Sequence, residues 1–165
     1  MSERKLRSLV AFGALSLWLG AAAFFAFGVA PAMFAIMPSR TLAGGIVARL
    51  LPTIYYAGML VGAIVLSLEL LGAQERHPLR PRRAGAALGI VAACAFGQFV
   101  IGARIARLRE EIGGTFDTLV PADTRRIVFG RLHGASVGAL GIAMLAALIA
   151  VVLIGRDLAA DDDRA

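Results

Sequence analysis

The sequence is poor in the residues that build most chemical sites. A single cysteine, two histidines and one tryptophan are spread over 165 residues. Cys94 lies inside an apolar block, so an internal disulfide is excluded and there is no cysteine cluster for zinc or an iron–sulfur centre. Charged residues make up 17% of the chain, too few for the solvated surface of an ordinary soluble domain. No phosphate-binding loop, dinucleotide fingerprint, nucleophile elbow, HExxH motif or pair of catalytic carboxylates occurs. The stretch "EIGGTF" lacks the lysine and the preceding strand that a phosphate cradle needs. These gaps point away from an enzyme.

What is abundant is apolar sequence, 59% of the chain, with a mean hydropathy of +0.79. It is arranged in long blocks rather than in alternating or heptad patterns. Four blocks, at about 8–30, 53–71, 84–103 and 134–154, are each roughly 20 residues, enough at 1.5 Å per residue to cross a hydrocarbon core of about 30 Å. Helices are required, because lipid cannot satisfy free backbone groups and barrel strands would alternate. The sequence therefore predicts one all-α domain over residues 1–165, a polytopic bundle of four transmembrane helices. The basic start "MSERKLR" imitates a signal peptide, but the apolar region behind it is about twice the usual length, so it reads as an uncleaved first span.

Between the first two spans, Leu42, Ile46 and Leu50 recur every four residues with Arg40 and Arg49 set apart, which predicts a short interfacial helix. Between spans three and four, the third helix is expected to run past the membrane, break at Gly113 and Gly114, and restart near Pro121 to Asp123, with Asp123 as N-cap. The acidic end, 156–165, reads as a solvated cytoplasmic tail.

The net charge of +6 does not indicate nucleic acid, since the arginines flank the apolar blocks with few aromatics among them. The partner is the lipid bilayer. With both termini inside, nine lysines and arginines face inward against eight outward. The basic start of the first helix breaks the near tie and places both termini in the cytoplasm, in the inner (plasma) membrane of a bacterium.

Lipid tails are as apolar as leucine, so helices associate through small residues that let backbones approach. Gly58 and Gly62 in the second span, Gly85, Gly89 and Gly97 in the third, and Gly130, Gly134 and Gly138 in the fourth form such ladders. Packing inside the bundle is the favoured role. A seam between copies, making a homo-oligomer, is the alternative. A weak likeness also relates the two hairpins: "FGVAPAMF" follows the first span as "FVIGARIA" closes the third, and "ARLLPTIYYAG" leads into the second as "FGRLHGASVG" leads into the fourth.

Polar residues in or beside the spans outline a candidate pocket. Trp18 lies mid-span, where its indole N–H needs a partner. Gln98 is interhelical glue or a pathway lining. Glu69 is expected to pair with Arg76 or snorkel. His133 falls at the outer hydrocarbon edge, one turn from Ser136, with Tyr55, Tyr56, Met33, Met37 and Arg104 at similar depth. Sulfur and imidazole are the ligands copper(I) favours, so His133, Met33 and Met37 form a candidate metal set. A haem axial role is another reading of His133, and interfacial hydrogen bonding is the favoured one, since methionines in apolar helices usually fill space. His77, before Pro78, has no partner to make it special.

The segments "LWLGAAAFFAFGVAPAMF", "AGGIVARLLPTIYYAG", "IGARIARLRE" and "FGRLHGASV", in that order, resemble the transmembrane-protein-205-like family, the bacterial domain of unknown function 4149. The matching positions are Trp18, Gly20, Pro31, Phe34, Ala43, Gly44, Leu132, His133 and Ser136. The resemblance implies a four-helix inner-membrane protein of unestablished activity and adds Pro31 and Phe34 to the candidate pocket. Ala103 stands where the family often has proline, and Gly138 to Leu140 replace a polar position. A more distant likeness, to the copper-resistance protein D and membrane protoporphyrinogen oxidase group, implies a haem-dependent oxidoreductase as an alternative. The main expectation is a protein that binds or moves a small solute or metal at an outward-facing pocket near His133. A structural or assembly partner in the membrane is the third reading.

Overall fold

A computed structural model describes residues 3–71, 78–113, 120 and 122–162. They form four long helices: α1 (Glu3–Ile36), α2 (Arg40–Leu71), α3 (Arg80–Ile112) and α4 (Thr124–Asp162). The described residues contain no strand. Each helix is long and apolar enough to cross a membrane, and at 1.5 Å per residue each exceeds a core of about 30 Å, so its ends reach the headgroups. In ring order each helix packs on its two neighbours, α1 on α2 and α4, and α3 on α2 and α4.

The helix boundaries follow local chemistry. Met37, before Pro38, is extended (φ −78°, ψ 143°), as the proline ring demands. Ser39 Oγ then accepts the Leu42 N–H at 3.2 Å and starts α2. Gly113 ends α3 in the left-handed region (φ 70°), which a glycine enters without steric cost. Asp123 Oδ1 accepts the Arg125 N–H at 2.8 Å and caps α4. The expected roles of Gly114 and Pro121 lie outside the described residues.

Two expectations need correction. The stretch around Leu42, Ile46 and Leu50 is not a separate interfacial helix but the opening of α2, which runs through Pro52 without a break. Arg109, near the end of α3, donates to the Gly44 carbonyl at 3.0 Å and holds these turns against the bundle. Membrane helices tolerate such a proline because neighbours take up the freed backbone group. The acidic end does not begin as a free tail either: α4 continues to Asp162, and Asp157 within it pairs with Arg83.

α1 and α3 each contain one widened π-helical stretch, Phe24–Val29 and Phe96–Gly102. In α1 the Ala30 N–H reaches five residues back, to Phe25 O, immediately before Pro31. A proline ring in a regular helix collides with the carbonyl four residues back, and widening the turn accommodates it.

The core runs along the bundle axis. It comprises Ala11, Leu15, Trp18, Ala22 and Phe25 from α1, Tyr55 and Val65 from α2, Ala87, Ile90 and Cys94 from α3, and Leu140, Ala143, Ala147, Ala150 and Ile154 from α4. The alanines of α4 recur about once per turn, so that helix approaches its neighbours closely along its length. At the end of the bundle bearing both chain termini, Arg83 is buried and pairs with Glu69 Oε1 at 3.5 Å and with the Asp157 carboxylate. Arg80 Nε donates to the Glu69 carbonyl at 2.7 Å. Three helices are thus tied together by charge. Arg76, the expected partner of Glu69, lies outside the described residues.

Candidate functional site

Of the candidate pocket residues, Trp18, Tyr55 and Ser136 meet in the interior. Tyr55 is 1% exposed. Its hydroxyl donates to the Ser136 carbonyl at 2.9 Å, with Ser136 Oγ at 3.1 Å. This link joins α2 to α4 across the diagonal of the ring. At the residue before Tyr55, the Ile54 carbonyl accepts the Trp18 Nε1–H at 3.0 Å, which supplies the partner an indole needs in a dry interior. Carbonyls on α2 and α4 are therefore each hooked by a side-chain donor from another helix.

Glycine makes this arrangement possible. A Cβ at Gly97 would lie 2.6 Å from Tyr55 Cζ, and one at Gly58 would lie 2.6 Å from Cys94 Sγ and 2.7 Å from Trp18 Cζ2. Gly62 is as tight, 2.8 Å from Val91 Cγ2. Gly89 makes an ordinary contact with Ala146, 3.7 Å away. These four glycines pack inside the bundle.

The remaining glycines of the predicted ladders do not. A Cβ at Gly85, Gly130, Gly134 or Gly138 would meet nothing within 4 Å, and the same holds for Gly141. At 100° per residue, Gly130, Gly134, Gly138 and Gly141 fall on the flank of α4 opposite Ser136, Ala139, Ala143 and Ala147. Glycine spacing alone did not distinguish the two faces of α4.

The other candidates stand apart from the interior group. His133 is exposed on the side of α4, its ring parallel to Phe129 (centroids 6.2 Å, interplanar angle 7°). The Arg109 guanidinium lies 5.6 Å from the centroid of the same Phe129 ring. Tyr56 faces outward and meets Phe99 edge to face at 6.1 Å. Pro31, Phe34 and Arg104 are exposed, while Gln98, Met33 and Met37 are half-buried. Among the described residues no group of three or more His, Cys, Asp or Glu side chains is placed to hold a metal ion. His77 lies outside them.

Two functional-looking contacts escaped the sequence reading. Arg83 could have been found from phase, since it continues the buried spacing of Ala87, Ile90 and Cys94, but Arg80 and Arg82 beside it are chemically identical. Arg109 is one of several arginines in its helix, and only the fold picks out its bond to Gly44. Chemically, the interior holds a committed hydroxyl pair, with no base beside it among the described residues. It fixes helices in place.

A ring of four apolar helices with charged braces at one end and hydrogen-bonded hooks at its centre defines a multi-pass membrane protein. The chain belongs to the family described as domain of unknown function (DUF4149), which matches residues 13–113. The match covers α1 from Gly13 onward, α2 and α3, and leaves His133 and all of α4 beyond it. Comparison with curated proteins and with solved structures gave no match.

Proposed function

We propose that this protein is a non-enzymatic assembly component of a bacterial inner membrane, with both termini cytoplasmic, and that it associates through the outer face of α4. The observation that carries this reading is the stripe Gly130, Gly134, Gly138 and Gly141, set opposite the buried face of its own helix with nothing within 4 Å of a Cβ. Each glycine in a helix costs about 1 kcal/mol relative to alanine. Gly58, Gly62 and Gly97 offset that cost by admitting a neighbouring helix, with contacts from a Cβ of 2.6–2.8 Å. The α4 glycines have no such return within one chain, and a second helix docked on them would provide it. A second copy is the simplest occupant, because an isologous contact places the same glycines at the same depth.

An even number of spans puts both termini on one side, and the basic start of α1 favours the cytoplasmic side. The solute or metal reading at His133, and the copper or haem it would involve, have less support: the ring is stacked on Phe129 on the flank of α4 rather than directed toward other ligands. Light scattering of the purified protein in mild detergent tests the proposal. The wild type is expected to run as a dimer and Gly134→Leu as a folded monomer. A wild-type monomer, or a dimer that Gly134→Leu leaves intact, removes the reading.

A further inference from the structure

The buried positions of α1 and α3 coincide when the chain is shifted by 72. Ala11, Leu15, Trp18, Ala22 and Phe25 correspond to Arg83, Ala87, Ile90, Cys94 and Gly97, and all ten are buried. The same shift lays the π-helical stretch Phe24–Val29 on Phe96–Gly102, and it is the register of the likeness between "FGVAPAMF" and "FVIGARIA". Pro31 then falls on Ala103. The second widened turn is therefore present without the proline that explains the first, so its cause lies in the packing of the fold.

We infer that the chain is an internal two-fold repeat whose matched widened turns form a pair of hinges, allowing the outer ends of α1 and α3 to swing, while the Tyr55–Ser136 bond, by tying α2 to α4, holds the two halves together and limits that motion. The bond links α2 to α4, the equivalent helices of the two halves, so it lies where an axis between the halves would pass. The inner end is braced by Arg83 to Glu69 and Asp157, and by Arg80 to the Glu69 carbonyl. Beyond the widened turns, Arg109 of α3 donates to the Gly44 carbonyl of α2 at the outer end. Widened turns relax the regular backbone ladder and mark places where helices bend. Matched hinges in parallel repeats move the two halves against each other. This inference does not depend on how α4 associates.

Spin-label distances within one chain test it, in lipid nanodiscs, on a Cys94→Ala background, with labelled chains diluted into unlabelled ones. The outer pair is Ala35→Cys with Arg107→Cys, and the inner pair is Val10→Cys with Arg82→Cys; all four positions are exposed and each pair is related by the shift of 72. The inner pair is expected to give one narrow distance in every variant. The outer pair is expected to be broad, with the longer distances gaining population in Tyr55→Phe. An outer distribution as narrow as the inner one, or one unmoved by Tyr55→Phe, overturns the proposal. A second measurement holds even if Tyr55→Phe does not fold. Ala103→Pro loses the Ala103 N–H bond to the Val100 carbonyl but enters a turn already widened as at Pro31, so it is expected to lower the unfolding midpoint only slightly, whereas Ala92→Pro in the regular part of α3 loses the folded state. Equal damage from the two prolines refutes the equivalence of the hinges.

Discussion

Gly97→Ala adds one methyl group, and the structure fixes its consequence. The new Cβ would fall 2.6 Å from Tyr55 Cζ and 2.8 Å from both Tyr55 Cε1 and Oη. The tyrosine is 1% exposed and held at its tip by Ser136, so it has no open side to which it can retreat. Overpacking a filled core costs about 1–3 kcal/mol. Displacing the hydroxyl also weakens an interhelical hydrogen bond of about 1 kcal/mol. Against this, alanine gains about 1 kcal/mol over glycine as a helix former. The net expectation is a loss of roughly 1–3 kcal/mol. Gly85→Ala, on the same helix with nothing within 4 Å, shows the propensity gain alone. Reversible unfolding in mixed detergent micelles, followed by circular dichroism, measures both. If Gly97→Ala is as stable as Gly85→Ala, the Tyr55 contact is not what requires glycine at this position.

Two further perturbations address charge. Asp157→Ala leaves Arg83 buried with Glu69 as its remaining acidic partner, and removing one member of a buried ion pair costs about 3–5 kcal/mol; a loss below about 1 kcal/mol in the same unfolding assay would show that the brace is solvated. The Arg125 side chain, and then its backbone N–H, hold the Asp123 carboxyl below its ordinary range. A depressed carboxylate contributes stability that is present above its unfolded pKa and lost as the pH falls through its folded pKa. Asp123→Asn should therefore unfold more easily than wild type at neutral pH, with the difference vanishing in strong acid. A gap that is constant from neutral to acid pH would contradict a contribution from the ionised Asp123 carboxylate, since asparagine caps a helix about as well.

The four spans were legible because apolar runs of this length have one solution in lipid, and the stops at Gly113 and Asp123 were legible because each carries its own mechanism, a positive φ and a side-chain cap. The start of the second span was read too late, since α2 runs from Arg40 through Pro52: a proline ends a helix in water but is tolerated in a membrane bundle, where neighbouring helices take up the freed carbonyl. Of the candidate site, Trp18 and Tyr55 were readable as large polar-tipped residues that need partners. Those partners, the Ile54 and Ser136 carbonyls, could not be read, because every residue has a carbonyl and only the packing selects which ones accept a second bond. His133 attracted interest by residue type, and its phase lies close to that of buried Ser136, so only the fold shows that its side chain is exposed on the flank of α4. The α4 glycines show the same limit: spacing marks a small face, and only the three-dimensional arrangement tells whether that face is already occupied.

The most direct test of the assembly reading is disulfide mapping in native membranes, using single cysteines on a Cys94→Ala background. Gly134→Cys and Gly138→Cys should each give a crosslinked dimer on mild oxidation, and Leu17→Cys, 77% exposed on α1, should remain monomeric. Monomers at all three positions, or crosslinking at Leu17→Cys as strong as at the α4 positions, would contradict association through the outer face of α4.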